Sequence, residues 1–212
     1  MTCPELADAA RERGITSVVH FTRINGLKGI LASSAIKSRD DLPEDAYVKH
    51  VYEPNAADRS RDWPWHTYVN LSISIINLHM FKHSKRWHKD DKWVILEFGP
   101  EILSDDGVVF CTTNNAYPTV HRAIGSAGFE QMFAPEVPWG YHGSTNTRDG
   151  RQPHETTDPQ AEVLYPFELS LQHLHTITAD EDSTRDAVDA LLANLWNLPD
   201  EPKIKLDPKA FR

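Results

Sequence analysis

Short strands separated by turns and brief helices are the pattern that most restricts the fold of this chain. Six runs of β-branched, aliphatic and aromatic residues lie between Gly, Pro, Asn, Asp or Ser, which is typical of strands. They cover residues 17–22, 68–75, 92–98, 107–111, 161–165 and 174–178. A doubly wound parallel sheet needs a long helix between successive strands, and this chain offers only short helical stretches there. We therefore predict a mixed α/β fold of the α+β kind, with flanking short helices.

Length and composition restrict the class of protein. The 212 residues suffice for a single domain, which we predict to have a core over about residues 16–178 and a C-terminal helix over about residues 183–196. The formal net charge of −9 argues against a broad coating by nucleic acid or membrane, but it allows a local basic groove. Two cysteines cannot form a disulfide framework, and no apolar run reaches the roughly 18–20 residues of a membrane span. We expect a cytoplasmic protein without a membrane segment.

Four further segments carry structural predictions. Residues 118–133 fit a helix that internal glycines weaken, and residues 200–212 fit a charged tail. Residues 39–66 and 134–157 have little periodicity and fit long loops, a length that usually indicates function or disorder.

The stretch 158–165 has an unusual arrangement of polar side chains. Its Asp-Pro pair starts a turn, and a short run of β-forming residues follows. Because side chains alternate along a strand, Gln160 and Glu162 share one face. Such a face is either exposed to solvent, the commoner case for an arbitrary Gln-x-Glu, or it lines a cleft.

Two earlier strands have polar faces of the same kind. His20 and Thr22 share a face of the first strand, and Ser72 and Ser74 share a face of the second. A histidine on a half-buried strand is more often a hydrogen-bonded core residue than a ligand contact. Periodicity alone therefore leaves both interpretations open.

Along the chain, the order His-x-Thr, arginine, Ser-x-Ser and Gln-x-Glu resembles the ADP-ribosyltransferase superfamily and, more narrowly, the DarT family of DNA-modifying toxins. An arginine, Arg59 or Arg61, lies between the first and second of the three stretches that carry the resemblance. These stretches are His20-Phe21-Thr22-Arg23-Ile24-Asn25-Gly26-Leu27, Tyr68-Val69-Asn70-Leu71-Ser72-Ile73-Ser74 and Asp158-Pro159-Gln160-Ala161-Glu162-Val163-Leu164. The resemblance implies a split central β-sheet, NAD as co-substrate and transfer of ADP-ribose.

The resemblance also implies roles for individual residues. Glu162 would be the catalytic carboxylate, ahead of Glu97 and Glu168, which lack supporting polar neighbours in the sequence. Arg61, rather than Arg59, would serve catalysis by clamping the NAD diphosphate, because a guanidinium group matches phosphate geometry and keeps its charge. The other cofactor contacts would come from His20, Thr22, Asn25, Ser72 and Ser74.

The implied acceptor is a nucleobase of single-stranded DNA, since a base inside a duplex is paired and stacked. Gln160 would orient the acceptor, and basic residues would contact the strand, namely Arg86, Arg148 and Arg151. Arg86 belongs to a basic stretch over residues 82–89 with an aromatic residue inside it, although a solvated turn explains that stretch equally well. An RNA or protein acceptor and an inactive NAD-binding module remain alternatives. The family includes modifiers of thymine and of guanine, and the sequence does not choose between them.

Family resemblance further implies a toxin whose antitoxin is a macrodomain glycohydrolase. No metal is expected, because His79 and His83 have i, i+4 spacing but no third ligand follows at a telling distance. The chain also lacks the Gly-x-Gly-x-x-Gly motif of a Rossmann dinucleotide site.

Overall fold

A computed structural model describes residues 4–42, 64–141 and 143–212, and an eight-stranded mixed sheet is its central element. In spatial order the strands are β12 (Lys203–Leu206), β11 (Leu174–Ala179), β4 (Trp93–Phe98), β1 (Val18–Arg23), β3 (Tyr68–Ile73), β9 (Glu162–Pro166), β5 (Val109–Cys111) and β6 (Arg122–Ile124). Only the β11–β12 pair in this described sheet is parallel. Two short ribbons lie outside the sheet, β2 (Ala35–Lys37) with β10 (Glu168–Ser170) and β7 (Glu136–Pro138) with β8 (Thr145–Thr147).

The sheet separates into two halves between β1 and β3. These two strands pair at Val18 with Ile73 and at Val19 with Ser72. Beyond those pairs, β1 continues along β4 as far as Arg23, whereas β3 continues along β9. The predicted split of the central sheet is thus confirmed.

Five α-helices of the described residues cover the sheet or its edges. They are α1 (Pro4–Glu12), α2 (Ile24–Ser33), α3 (Leu78–Trp87), α4 (Gly125–Gln131) and α5 (Asp182–Leu195). The start of α3 is fixed by Asn77, whose side-chain oxygen accepts the Met80 N–H at 3.0 Å. The end of α2 is fixed by Ser34, which adopts a left-handed conformation with φ 55° and returns its N–H to the last helical turn. In the parts of the chain that the structure describes, no helix has the length and apolar character needed to cross a membrane.

Apolar side chains form separate clusters on the two faces of the sheet. On β4, Val94 and Leu96 belong to the main cluster with α1, α2, α4 and α5, whereas the alternate residues Trp93 and Ile95 pack with Phe81 of α3. Val163 of β9 belongs to the main cluster, so the neighbouring Glu162 points to the opposite face. Glu162 and α3 therefore lie on the same side of the sheet.

The mixed α/β class is confirmed, and several local predictions are corrected. Residues 118–133 are not one helix, because residues 122–124 pair with β5 and α4 begins only at Gly125. The charged tail is also structured: β12 extends the sheet edge, and Phe211 is buried beside Phe81. Residues 134–157 contain the β7–β8 ribbon. The strand predicted over 68–75 ends at Ile73, because Ser74 has φ 60° and turns the chain. Single-domain organisation stays a prediction.

Candidate active site

Glu162 is the first residue of β9, at the end of the sheet where β5 also ends. Cys111 of β5 is the residue opposite Glu162, and the Glu162 carboxylate is buried. A buried carboxylate needs hydrogen-bond donors around it, because burial without partners carries a large free-energy cost. Its surroundings therefore decide whether Glu162 is a structural or a reactive group.

In the part of the chain that the structure describes, three N–H donors converge on the Glu162 carboxylate. The Asn115 main-chain N–H donates to Oε2 at 2.8 Å, and the Asn70 side-chain amide donates to the same oxygen at 3.3 Å. The Asn114 side-chain amide donates to Oε1 at 3.3 Å. Donors on both oxygens match the ionised, acceptor-only form of a carboxylate and fix the plane of the group.

The two asparagines after β5 owe their positions to a tight turn. Asn114 Oδ1 accepts the Ala116 N–H, and Asn114 O accepts the Tyr117 N–H, both at 3.0 Å. The first of these bonds is the usual way for an asparagine side chain to mimic a backbone turn. The turn leaves the Asn114 amide and the Asn115 N–H directed at Glu162.

His20 meets Glu162 through a shared neighbour, Asn70. The His20 Nδ1 atom lies 3.0 Å from the main-chain oxygen of Asn70, while the Asn70 side chain donates to Glu162. A carbonyl oxygen only accepts, so Nδ1 carries a proton and donates this hydrogen bond. The contact bridges the two halves of the sheet where β1 and β3 separate. His20 and Glu162 are therefore each one hydrogen bond away from Asn70, beside the opening where β1 and β3 separate.

Three other residues predicted to contact NAD have different surroundings. Ser72 is buried on β3 opposite Val19, at the last β1–β3 pair. Thr22 is buried with its hydroxyl against Gly26, where an added Cβ would lie 2.5 Å from Oγ1. Ser74 is past the end of β3, in a tight turn where the Ile75 N–H donates to Ile73 O at 2.6 Å. Ser72 and Ser74 consequently do not share one strand face.

Asn25 and the predicted arginines give less to the described site. Asn25 is exposed on α2 and accepts a hydrogen bond from Lys28 Nζ at 3.1 Å. Arg59 and Arg61 lie outside the described residues. The rival carboxylates have other surroundings: Glu97 accepts a hydrogen bond from Thr178, and Glu168 is exposed on β10.

Gln160 is buried in the turn that leads into β9 and Glu162. Tyr117 OH donates to Gln160 Oε1 at 3.2 Å. Beside this pair is an open cleft of about 560 Å³, lined by Asn115, Ala116, Tyr117, Pro118, Arg122 and Tyr141. Tyr141 is 43% exposed and meets Tyr117 edge to face, with ring centroids 5.5 Å apart. The cleft thus has an aromatic wall next to the carboxylate.

The basic residues predicted to bind a DNA strand differ in their contacts with the rest of the protein. Arg148 donates three hydrogen bonds to main-chain oxygens of Gln152, Pro153 and Glu155, so it holds its own loop together. Arg151 forms an ion pair with Glu155 at 3.5 Å. Arg86 is exposed on α3.

Sequence reasoning missed Asn70, Asn114, Asn115, Tyr117 and Arg122 as site residues. Asn70 was visible on the polar face of its strand, and the Asn-Asn-Ala sequence after β5 has the composition of a turn. Arg122 gave no signal, because residues 118–133 fitted a helix. Main-chain donors such as the Asn115 N–H have no residue signature at all.

Asp158 is a buried carboxyl group in the turn that precedes β9. Burial raises its pKa above the ordinary value, and its Oδ1 accepts the Gln160 N–H at 2.8 Å. A carboxyl group whose pKa is raised by folding stabilises the fold most when protonated, and that contribution is lost as the pH rises through the folded-state pKa.

Asp158→Asn keeps an oxygen for the Gln160 N–H and removes the ionisable group. We expect the Tm of the variant, relative to wild type, to increase as the pH rises from about 4 to about 7. Thermal unfolding across this range measures the difference. A Tm difference that does not change with pH would contradict the assigned burial cost.

Comparisons with known proteins agree with the sequence motifs. The family model described as "DarT: ssDNA thymidine ADP-ribosyltransferase, DarT" matches residues 19–212. A search of the curated proteins gave no match.

Solved structures of two organisms share the fold. The DarT of Thermus sp. 2.9 in complex with NAD+ has a TM-score of 0.63 at 14% identity, with 93% of this chain and 98% of that chain covered. The same protein in complex with ADP-ribosylated ssDNA has a TM-score of 0.61 at 15% identity, with 100% and 99% covered. Thermosipho africanus DarTG in complex with ADP-ribose has a TM-score of 0.55 at 15% identity, with 92% of this chain and 51% of that chain covered.

Proposed function

The chain belongs to the DarT family of ssDNA thymidine ADP-ribosyltransferases, and we propose that Glu162 carries the chemical step of its reaction. As a family member, the chain is an NAD-dependent enzyme that transfers ADP-ribose to single-stranded DNA. The observation that supports the assignment of Glu162 most strongly is the convergence of three N–H donors on its carboxylate. This arrangement holds an anion in a fixed position at the opening of the split sheet.

The chemistry needs such an anion. Transfer breaks the C–N glycosidic bond between nicotinamide and its ribose, and positive charge develops on that ribose. A fixed carboxylate stabilises this charge without having to reorganise. As the ribose carbon bonds to the acceptor, the acceptor loses a proton, which the same carboxylate can take up as a general base. Neutral nicotinamide leaves, so charge and protons balance.

NAD would be held on both sides of the opening between β1 and β3. We assign His20, Thr22 and Ser72 to this role, with Asn25 and Ser74 as outer contacts. His20 fits because the hydrogen bond from its Nδ1–H to Asn70 O fixes its ring beside Asn70, which itself donates to Glu162. Arg61, with Arg59 as the alternative, remains the proposed clamp for the diphosphate. The NAD+ and carba-NAD+ complexes of Thermus DarT support NAD as the co-substrate.

The acceptor side would be the cleft beside Tyr117 and Gln160. We propose that a thymidine base leaves the stack of a single strand and enters this cleft, where Gln160 orients it and the exposed ring of Tyr141 offers a stacking surface. Arg86 lies on α3, on the same side of the sheet as Glu162, and would contact phosphates with Arg151. Arg148 would act mainly by holding the loop. The family description and the complex of Thermus DarT with ADP-ribosylated ssDNA support this acceptor.

The acceptor class can be tested by offering labelled NAD with several acceptors in parallel. We expect label on single-stranded DNA, much less on the matching duplex, and none on RNA of the same sequence or on protein. Duplex should be poorer because extruding a base costs a few kcal/mol, roughly. Label on RNA or protein but on no DNA would favour the alternative acceptors, and no label anywhere would favour an inactive NAD-binding module.

We further propose that the chain is the toxin of a toxin–antitoxin pair in the cytoplasm, reversed by a macrodomain glycohydrolase. The resemblance to a DarTG protein bound to ADP-ribose supports this role.

A further inference from the structure

Arg122 is bonded to the residue that holds Glu162. Its Nε donates to Asn115 Oδ1 at 2.7 Å, and its Nη2 donates to Asn115 O at 2.6 Å. The N–H of the same asparagine donates to the Glu162 carboxylate at 2.8 Å, closer than the Asn70 and Asn114 amides at 3.3 Å. We infer that Arg122 is a positioning residue for the transfer reaction and that it acts through Asn115 on Glu162. The inference rests on the proposed role of Glu162.

Strand register explains why this arginine can reach the turn. Cys111 of β5 is opposite Glu162 on one side and opposite Arg122 on the other. Directly opposed residues of antiparallel strands point to the same face, so Arg122, Cys111 and Glu162 form one row across three strands. The 114–115 turn follows β5 and lies over this row, where Asn115 Oδ1 also accepts a weak hydrogen bond from the Cys111 thiol at 3.8 Å.

Guanidinium geometry suits the task better than a simple positive charge. Two donors in one rigid plane bind both the main-chain and the side-chain oxygen of Asn115, which fixes the peptide and the side chain together. The Arg122 guanidinium also lies 5.1 Å from the centre of the Trp65 ring. This cation–π contact limits the positions that the guanidinium can adopt. A lysine could keep the charge and one hydrogen bond, but it could not bind both oxygens of Asn115 with two donors in one plane.

The position of Arg122 in the cleft wall makes substrate binding the competing explanation. The two roles differ in kinetics. A residue that only positions Glu162 changes the rate of the chemical step, so its loss lowers kcat. A residue that binds NAD or DNA before the reaction raises KM when it is lost.

Steady-state kinetics of Arg122→Met and Arg122→Lys with NAD and a thymidine-containing oligonucleotide separate the two roles. For Arg122→Met we expect kcat to fall by about 10–100-fold, the range expected for loss of hydrogen bonds to a charged group. Both KM values should stay within about threefold of wild type. Arg122→Lys should recover part of kcat. The matched control is Arg185→Met, which removes an exposed arginine whose ion pairs lie within α5 and should leave kcat unchanged.

A wild-type kcat in Arg122→Met, or a raised KM with kcat unchanged, overturns the inference. If Arg122→Met does not fold, as judged by thermal unfolding, Arg122→Lys decides, because a wild-type kcat in a folded lysine variant also overturns it. Glu162→Gln tests the premise separately. If that variant keeps the wild-type rate, the proposed function fails whatever Arg122 does. If it loses the rate while Arg122→Met does not, only the inference fails.

Discussion

Glu162→Gln is expected to lower the rate of ADP-ribose transfer by about 10²–10⁴-fold while NAD still binds. Glutamine keeps the size of the side chain but removes the negative charge that would stabilise the ribose and accept the proton. It also turns an NH2 group towards a site where three N–H donors converge. The loss should fall on kcat, because the carboxylate interacts most strongly with charge that develops during the reaction.

Enzyme kinetics and calorimetry together separate a loss of kcat from a loss of NAD affinity. Transfer rates on a DNA oligonucleotide give kcat, and titration with NAD gives the affinity of the folded variant. Glu168→Gln is the matched control, since Glu168 is an exposed carboxylate on β10 and should be replaceable without loss. An unchanged kcat in Glu162→Gln would contradict the assignment, as would a loss of rate that is explained entirely by weaker NAD binding.

Gly128→Ala is expected to destabilise the protein more than other single-methyl additions in α4. A Cβ at residue 128 would lie 2.4 Å from the main-chain oxygen of Ala123, which is too close for any real contact. Main chain cannot rotate away as a flexible side chain can, so α4 must shift from β6. Overpacking of this kind typically costs about 1–3 kcal/mol, which corresponds to a Tm loss of several degrees in a chain of this length.

The same substitution should also lower activity, because residues 122–124 form β6 and β6 carries Arg122. Thermal unfolding and the transfer rate of Gly128→Ala are the measurements. Ala127→Ser provides the control, since residue 127 is exposed on the same helix and should change neither value. A Tm equal to that of wild type would show that β6 and α4 separate without cost, contrary to the packing described.

Alternation of residue types was enough to predict six of the eight strands in the described sheet and the polar entrance of β9. Strands near Val18, Val94 and Val163 have apolar side chains that reach the main cluster, and their patterns were readable because each strand packs at least one face against helices. The polar entrance of β9 was equally readable, since Gln160 and Glu162 break the apolar pattern without breaking the strand. The link to ADP-ribose transfer came from the resemblance of ordered motifs, not from periodicity.

What could not be predicted depends on contacts between residues far apart in the chain. Arg122 lies on a three-residue strand that exists because β5 is beside it, so local propensity favoured a helix. β12 likewise depends on β11 as a template, and Phe211 on the cluster around Phe81. Ser74 alternates correctly in sequence, but its positive φ ends the strand one residue earlier. The Asn115 donor is a main-chain N–H, a group that every residue except proline possesses.

The central claim is that Glu162 directs ADP-ribose to thymidine in single-stranded DNA. Its most direct test is the intact mass of two oligonucleotides after incubation with NAD, one with a single thymidine and one with that thymidine replaced by cytidine. Wild type should add the mass of one ADP-ribosyl group to the first oligonucleotide alone, and Glu162→Gln should add none in the same time. An equal mass gain on both oligonucleotides, or a full gain with Glu162→Gln, would contradict the claim.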